Sequence, residues 1–414
     1  MMRISTSWQY QQSLSTMLEQ QSALAQTQNE IGTGKAINVA SDNPVGAAQI
    51  VGLNHILSEN TQYTANITGA TTRLNTESST LSSVSNLLNS VNDVGLSAIN
   101  GAMSSSDLSN MATELTQYRN QLVQLANTTD ANGQALFAGT STTTTPFALN
   151  GSTGAVSYAG NDQQGFVAIG SGLQVASGDP GASIFMNVAA GNGSFVASAG
   201  SANSGTLVVG SNSVTNTAAY QAATASGPLN DTITFGANGS YAVTDASGNP
   251  VTDSSGNPIT GTYTDGGSIS FNGMSVTLSG TPSAGDTVKV QSDTASNQQS
   301  IFSTLDNMIS ALQSGGSSTQ IANTINRQLE SLNNAMSNVS NASVAVGTRI
   351  DTLQQQSSAY SDLSVTYQSA LSSVQDVDTA TAISNLSLQS TALQASQEVF
   401  AKVQGTSLFD YLQS

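Results

Sequence analysis

The sequence predicts an α+β fold, in which a long antiparallel, coiled-coil-like helical rod built from both ends of the chain carries a β-rich domain inserted in its middle. Two observations predict this architecture. Apolar residues recur every seven positions in both flanks, as they do in coiled-coil helices. Six of the seven prolines and 24 of the 37 glycines lie between Pro146 and Ser296, and both residue types interrupt helices. Helices are therefore expected outside that window.

The N-terminal flank predicts two helices. The longer one carries a seven-residue repeat that begins at Leu53 and continues through Asn60, Ile67, Leu74, Leu81, Leu88 and Gly95. A shorter series, Leu108, Leu115 and Leu122, predicts a second helix after a connector at residues 101–107.

The C-terminal flank predicts one very long helix. Its heptad positions are Ile325, Leu332, Val339, Val346, Leu353, Tyr360, Tyr367 and Val374. A helix of about 50 residues rises about 75 Å. Long helices in both flanks therefore predict an antiparallel rod.

The two ends of the chain carry separate apolar stripes. Eight large apolar side chains lie between Ile4 and Ile31, and their burial offsets too little of the entropy lost when some 28 residues become ordered. Such helices are expected to become ordered only when other chains cover them. The predicted assembly interface is Trp8, Leu14, Met17, Leu24, Ile31, Ile383, Leu386, Leu393, Phe400 and Val403.

The central window predicts short strands. Residues 231–235, 268–271 and 275–278 alternate apolar and polar side chains between Gly, Asn and Asp residues. A repeated Asp-x-Ser-Gly-Asn-Pro segment, at Asp245 and again at Asp253 with Ser as its second residue, predicts two exposed turns eight residues apart.

These patterns divide the chain into three predicted domains. Residues 1–40 and 376–414 are the terminal helices, which form an inner coiled-coil layer on assembly. Residues 41–145 and 297–375 form the helical rod, and residues 146–296 form the outer inserted domain.

Composition excludes several function classes. Lys and Arg number 8 against 25 Asp and Glu, so the net charge is −17, which disfavours nucleic acid because phosphate contacts need clustered cations. No apolar run reaches the roughly 20 residues of a membrane span. The chain has no cysteine, which excludes disulfides and cysteine-based zinc sites. The N-terminus shows no cleavable signal peptide.

No motif predicts a catalytic residue, a cofactor or a metal. Gly32-Thr33-Gly34-Lys35 lacks the earlier glycine and the following Ser or Thr of a phosphate loop and predicts a helix-ending turn. Asp245-x-Ser247-x-Asn249 lacks the glycine and the final Glu of a calcium loop. His55 is the only histidine and is interpreted as a solvated or hydrogen-bonded side chain.

Several short motifs, in order and spacing, resemble the flagellin and hook-associated family of bacterial flagella. The opening Met2-Arg3-Ile4-Ser5-Thr6 is similar to the start of hook-filament junction subunits. The first turn resembles a family signature through Gly34, Lys35, Ile37, Ser41, Asp42 and Pro44. Similar family segments are Leu136-Phe137-Ala138-Gly139, Thr145-Pro146-Phe147, Asp376-Val377-Asp378-Thr379-Ala380 and Ser407-Leu408-Phe409-Asp410-Tyr411-Leu412.

The resemblance implies a non-enzymatic, flagellin-like structural subunit without cofactor. Such a subunit forms a homo-oligomeric ring between the hook-associated protein FlgK and flagellin. It is exported without a cleavable signal by the flagellar type III system, with a FlgN-type chaperone, and ends in the extracellular flagellum. Filament flagellin is the alternative, but the chain reads Ala401-Lys402-Val403-Gln404-Gly405 where flagellins usually carry an Ala-Asn-x-x-Pro-Gln segment.

A third interpretation, from another class, is a secreted β-rich adhesin on a helical stalk. A carbohydrate-binding domain is expected to present aromatic platforms. The inserted domain holds only a few aromatic residues, such as Tyr158, Tyr241 and Tyr263, and no Trp.

Overall fold

The computed structural model describes residues 6–99, 103–151, 153–292 and 298–412. The chain forms two compact units: unit 1 comprises the described residues of 1–65 and 355–414, and unit 2 comprises those of 66–354. The predicted three-domain division stays a prediction.

Helices occupy both flanks and strands occupy the centre, which confirms the predicted fold class. The helices are α1 (Thr6–Thr33), α2 (Pro44–Ile99), α3 (Ser105–Ala126), α4 (Thr217–Thr224), α5 (Ile301–Gln313), α6 (Ser318–Gln375) and α7 (Thr379–Leu412). A single π-helical turn at Ala182–Met186 and a 3₁₀ turn at Ala237–Gly239 lie in the centre. The heptad series predicted α2, α3 and α6, whereas α5 was not predicted as a separate helix.

The centre contains twelve strands in the described residues. They are β1 (Phe147–Leu149), β2 (Val156–Tyr158), β3 (Phe166–Gly170), β4 (Leu173–Ala176), β5 (Val196–Ala199), β6 (Val208–Val214), β7 (Asn230–Phe235), β8 (Ser240–Thr244), β9 (Thr260–Thr262), β10 (Ser268–Phe271), β11 (Met274–Ser279) and β12 (Thr287–Gln291). Two hairpins, β1-β2 and β3-β4, precede a five-stranded sheet in the order β5-β12-β7-β8-β9 and a three-stranded sheet in the order β10-β11-β6. All these pairs are antiparallel. The three strand segments predicted from alternation are confirmed as β7, β10 and β11.

The heptad positions of α2 and α6 form the helical core of unit 2. Leu74, Leu81 and Leu88 are fully buried, as are Leu332 and Val346. The burial pattern therefore follows the seven-residue spacing from which the helices were predicted.

Within unit 2 the two long helices run antiparallel. A Cβ atom on Gly95 would lie 2.7 Å from Leu329 Cδ2 and 2.9 Å from Met308 Cε. Glu77, earlier in α2, and Arg349, later in α6, both contact Asp179. The small residue at position 95 therefore allows close packing against α6 and α5.

A separate apolar core lies between the two larger sheets. It includes Phe195, which directly precedes β5, and buried residues of both sheets: Ile233, Phe235, Val276, Leu278, Val288 and Val290. Tyr241 and Tyr263 pack against Phe235, with ring centroids 6.5 Å and 5.8 Å away. These tyrosines thus belong to the packing of the sheet region.

The repeated turns form as predicted. Asp245 Oδ1 accepts the N–H groups of Ser247 and Asn249, at 2.9 Å and 2.8 Å. Asp253 repeats this geometry with the N–H groups of Ser255 and Asn257. Both carboxylates are therefore acceptors in Asx-type turns, as the sequence indicated.

Salt bridges anchor the segments that follow α3 and β4 to the long helices. Arg73 of α2 contacts Asp130 at 2.7 Å and donates to the carbonyl oxygens of Ala135 and Leu136. Arg349 of α6 holds both oxygens of Asp179, each at 2.9 Å. Paired N–H donors on a carboxylate fix orientation as well as distance.

Glu77 completes this cluster seven residues after Ala70 and seven before Val84, at a position where an apolar residue is expected. Its side chain is fully buried, and its Oε1 atom accepts the N–H of Asp179 at 3.1 Å. Burial, followed by the nearby Asp179 charge, raises the pKa of Glu77 from 4.5 to about 8. The folded protein therefore holds Glu77 protonated at neutral pH.

The raised pKa predicts a pH-dependent stability. The unfolded chain loses the Glu77 proton near pH 4.5, whereas the folded chain keeps it to about pH 8. Between these values the unfolded state binds fewer protons, so the free energy of unfolding should fall as pH rises, by at most about 1.4 kcal/mol per pH unit. Glu77→Gln, a neutral isostere, should flatten this decline in urea midpoints measured from pH 5 to 8.

Two further variants serve as comparisons for the pH dependence of Glu77→Gln. Burial also raises the pKa of Glu330, to about 7, so Glu330→Gln should remove a second part of the decline. Asp351→Asn changes an exposed carboxylate on α6 and should leave the slope unchanged. An equal slope in the wild type and the Glu77→Gln variant would contradict a protonated Glu77.

Candidate assembly site at the paired chain ends

The first family-like turn joins the α1–α2 loop to the α6–α7 loop in unit 1. Helix α1 ends at Thr33, and Gly34 adopts a φ of 73°. The Ala36 N–H donates to Gln375 O at 2.7 Å, and the Val377 N–H donates to Gly34 O at 3.0 Å. Two motifs about 340 residues apart in sequence are thus linked through their backbones.

Local hydrogen bonds shape the loop and start α2. Asp42 Oδ2 accepts the N–H groups of Asn38 and Val39, each at 3.0 Å. Asn43 Oδ1 accepts the Gly46 N–H at 3.0 Å, and Pro44 is the first residue of α2. An Asn cap followed by Pro is a favourable helix start.

The remaining motif residues have different surroundings. Ile37 is half-buried, and its Cδ1 atom would lie 2.5 Å from a Cβ on Gly46. Lys35 and Ser41 are exposed, although Lys35 pairs through its backbone with Asp376 in a β-bridge. The predicted motif therefore forms a hydrogen-bonded turn in which only some of the side chains are packed.

Asp378 caps the start of α7. Its Oδ1 atom accepts the N–H groups of Ala380 and Thr381, at 3.0 Å and 3.3 Å, and its Oδ2 accepts the Thr381 hydroxyl at 2.7 Å. The hydrogen bond from the Thr381 side chain, followed by that from its backbone, lowers the pKa of Asp378. The second motif thus begins the C-terminal helix as the first begins α2.

Helices α1 and α7 pack on each other in unit 1. The rings of Tyr10 and Phe400 lie 5.2 Å apart. A groove of about 310 Å³ beside this pair is lined by Gln12, Ser13, Thr16, Ala395, Ser396, Val399 and Phe400. The contact therefore brings the predicted N-terminal and C-terminal stripes together.

This contact leaves most of the apolar surface of the two helices uncovered. Among the described side chains of α1 and α7, only Thr27 and Ala382 are buried. Trp8 is 58% exposed and Ile383 is 57% exposed. Leu14 is exposed as well, and the half-buried members of the predicted interface are Met17, Leu24, Ile31, Leu386, Leu393 and Phe400.

Some predicted residues lie outside the described part of the structure, and some exposed apolar residues were not predicted. The side chain of Val403 and those of the segment 407–412 are not among the described ones, and neither are residues 1–5. Tyr10, Leu18, Leu388 and Val399 are exposed apolar side chains missing from the predicted set. Tyr10 lies seven residues before Met17, and this spacing could have identified it as part of the interface. Leu388 and Val399 fall outside the predicted spacing.

The described residues offer no catalytic geometry at the sole histidine. His55 is 74% exposed, and its Nδ1 atom lies 3.9 Å from Glu59. Within the described ranges no cluster of three or more His, Asp or Glu residues is arranged to bind a metal ion. The described helices lack the combination of length and apolar character that crossing a bilayer requires.

The turn at Gly34 predicts opposite effects for two neighbouring glycines. Gly34→Ala should destabilise the protein by about 1 kcal/mol, because its left-handed backbone disfavours a side chain. Gly32→Ala should stabilise α1 by up to about 1 kcal/mol, since a Cβ there meets nothing within 4 Å. Urea midpoints of the two variants, measured in the assembled state in which α1 is expected to be ordered, test this, and shifts of the same sign would contradict it.

Comparisons with known proteins match both flanks. The model of the bacterial flagellin N-terminal helical region matches residues 4–142, and that of the C-terminal helical region matches residues 329–412. Flagellar hook-associated protein 3 of Salmonella typhimurium is 33% identical over 187 residues, which are 45% of this chain and 58% of that protein. Its counterpart from Escherichia coli is 36% identical over 146 residues, which are 35% of this chain and 46% of that protein. The chain thus spans about half the length of the curated relatives it matches.

A solved structure extends the match over a whole relative. The crystal structure of flagellar hook-associated protein 3 from Legionella pneumophila is 31% identical, with a TM-score of 0.69 over 78% of this chain and 98% of that one. The family resemblance predicted from the sequence is confirmed, and hook-associated protein 3 fits better than filament flagellin. The chain belongs to the family of flagellar hook-associated protein 3.

Proposed function

We propose that this protein is a structural subunit of the bacterial flagellum, located at the junction between FlgK and the flagellin filament. The observation that carries the proposal is the uncovered apolar surface of α1 and α7. The two helices cover each other on one side only, and large apolar side chains such as Trp8, Leu18 and Leu388 remain exposed. Exposed apolar surface of this extent is typical of an interaction site.

Neighbouring copies provide the missing cover in this proposal. Each subunit contributes the α1–α7 pair to an inner coiled-coil layer, and the copies close into a ring. FlgK on the hook side and flagellin on the filament side then contact different surfaces of the ring. A subunit with unlike partners above and below joins two structures of different stiffness.

The same exposed apolar surface also bears on how the protein reaches the junction. We propose export through the flagellar type III system, in which a FlgN-type chaperone covers the C-terminal helix until assembly. The protein then acts outside the cell as a non-enzymatic subunit. The exposed apolar residues of α7, including Ile383 and Val399, are the surface that such a chaperone covers.

An adhesin on a helical stalk is a weaker alternative. The tyrosines considered as carbohydrate platforms participate in internal packing instead. Tyr158 lies 5.1 Å from the buried ring of Phe147 and donates its hydroxyl to backbone oxygens, and Tyr263 is 92% buried, with only 8% exposure. These rings are thus not free faces for a sugar.

Charged substitutions on α7 test the assembly surface. Leu393→Asp combined with Phe400→Asp should abolish filament attachment in cells lacking the native gene, because buried unpaired carboxylates in the inner layer are costly. Motility, electron microscopy of hooks and flagellin in the medium measure the result. The expected cells carry hooks without filaments and release flagellin.

A matched control variant distinguishes the loss of apolar side chains from the effect of added negative charge. Gln394→Asp combined with Gln397→Asp places two carboxylates at exposed polar positions of the same helix, and filaments should stay attached. Urea unfolding of both double variants monitors unit 2, whose folding should be unchanged. Normal filaments on the Leu393→Asp, Phe400→Asp cells would remove these residues from the interface.

Amide exchange tests whether the ends become ordered on assembly. Residues 6–33 and 379–412 should exchange quickly in the dilute monomer and slowly in the assembled ring, because the monomer leaves their apolar faces in water. The buried core of unit 2 around Leu81 and Leu88 should be protected in both states. Equal protection of the ends in monomer and ring would overturn this part of the proposal.

A further inference from the structure

Arg327 differs from the other arginines that the structure describes in unit 2. The other three each pair with a carboxylate within 3 Å, namely Arg73 with Asp130, Arg119 with Asp306 and Arg349 with Asp179. The Arg327 side chain makes no hydrogen bond and no ion pair within residues 6–99, 103–151, 153–292 and 298–412. Its five N–H donors therefore lack a protein acceptor there.

The surroundings of Arg327 make this arrangement costly. The side chain is half-buried, and burial lowers its pKa, against the opposing effect of Glu330. Glu330 does not hydrogen-bond to Arg327: its Oε1 atom accepts the backbone and side-chain N–H groups of Asn212 at 3.0 Å and 2.9 Å, and its Oε2 atom has no partner among the described residues. A partly desolvated guanidinium without an acceptor is a destabilising feature unless a ligand compensates it.

Arg327 lines two cavities in unit 2. The smaller one, here named the Arg327 cleft, has a volume of about 330 Å³ and lies between residues 199–207, the end of α5 and the start of α6. The larger one has about 600 Å³ and shares Arg327, Thr324, Ser314 and Ala311 with the first. Among the residues that the structure describes, neither cavity is lined by Asp or Glu, although such residues outnumber Lys and Arg 25 to 8 in the chain.

Hydrogen-bond donors follow one face of α6 along the Arg327 cleft. Gln320, Thr324 and Arg327 lie at positions i, i+4 and i+7, which share a helix face. The Thr324 hydroxyl and the Gln320 Nε2 group make no hydrogen bond to any residue in the described ranges. The Gln320 Oε1 atom is already occupied by the Ser317 N–H at 3.0 Å. On this face of α6, the side-chain groups that remain available are thus hydrogen-bond donors.

We propose that the Arg327 cleft binds a carboxylate group, with the Arg327 guanidinium on its two oxygens and Thr324 and Gln320 as additional donors. A planar group with two acceptor oxygens matches the paired N–H donors of a guanidinium. The carboxylate comes either from a small organic acid or from an acidic side chain of a second copy of this chain. The start of α6 at the same cleft adds the positive end of a helix dipole.

Urea unfolding of the full chain in dilute solution, with succinate as probe, tests the site. Sodium chloride of equal ionic strength corrects for screening. The wild-type midpoint should rise with succinate, because a ligand bound only by the folded state stabilises it. Arg327→Met should not respond to succinate, and its midpoint without succinate should be no lower than that of the wild type, since the variant removes an unpaired charge. Thr324→Val should weaken the succinate response several-fold.

Arg349→Met is the matched control. It breaks a salt bridge with both oxygens of Asp179 and should lower the midpoint clearly, with the succinate response retained. If Arg327→Met lowers the midpoint as much as Arg349→Met does, the Arg327 guanidinium has a structural role and the proposal is wrong.

Self-association separates the two sources of carboxylate. Stabilisation of the dilute wild type by succinate identifies a small acid as a ligand. If succinate has no such effect, sedimentation at high concentration should show at least tenfold weaker self-association for Arg327→Met than for the wild type, which identifies the second copy. Absence of both effects overturns the carboxylate site, whereas the junction function would stand, because its test uses α7.

Discussion

Burial of apolar heptad side chains is the constraint on which the rest of this structure depends. A helix buries its apolar stripe only where neighbouring elements face that stripe. In unit 2 several elements do so, and Leu81, Leu88 and Leu332 are fully buried. In unit 1 the end helices have chiefly each other, and Leu14 and Ile383 remain exposed. The same seven-residue spacing therefore produces a buried apolar core in unit 2 and an exposed apolar surface in unit 1.

Polar interactions determine where the inserted region joins the helices. The chain has only 8 Lys and Arg residues, and Arg73, Arg119 and Arg349 each pair internally with an aspartate. Partly buried charges need such partners, because an unpaired charge away from water is costly. Among the described residues the exposed cations are thus few, namely Lys35, Lys289 and Lys402. Arg327 is the exception, since it is also half-buried but has no carboxylate partner among the described residues.

Local patterns in the sequence could predict much of the fold. Seven-residue spacing predicts the burial of Leu74, Leu81 and Leu88, and the alternation of apolar and polar residues predicts β7. The turn at Asp245 follows from hydrogen bonds between its side chain and backbone groups within five residues. Each of these features is decided by residues that are near in sequence. The C-terminal end of α1 at Gly34 belongs to the same class, since a glycine with positive φ terminates the helix locally.

Features set by distant residues could not be predicted. Glu77 occupies the seven-residue spacing of Ala70 and Val84, and its burial is compensated by a hydrogen bond from the Asp179 N–H, 102 residues later. The bond between Gly34 and Val377 joins two motifs whose separate patterns contain no sign of their contact. Helix α5 was missed as a separate element, although eight of its 13 residues are buried, because its short apolar series adjoins the longer heptads of α6.

The end helices show most clearly what periodicity does and does not establish. Tyr10, Met17, Leu24 and Ile31 repeat as regularly as the core positions of α2, yet none of them is buried. Periodicity identifies which face of a helix is apolar, whereas the covering of that face depends on which elements are present. For a member of the hook-associated protein 3 family, the elements that cover it are expected to belong to other subunits. An apolar face left open in a single chain is then the part of the sequence that encodes the assembly, since it lowers its free energy only when neighbouring subunits exclude water from it.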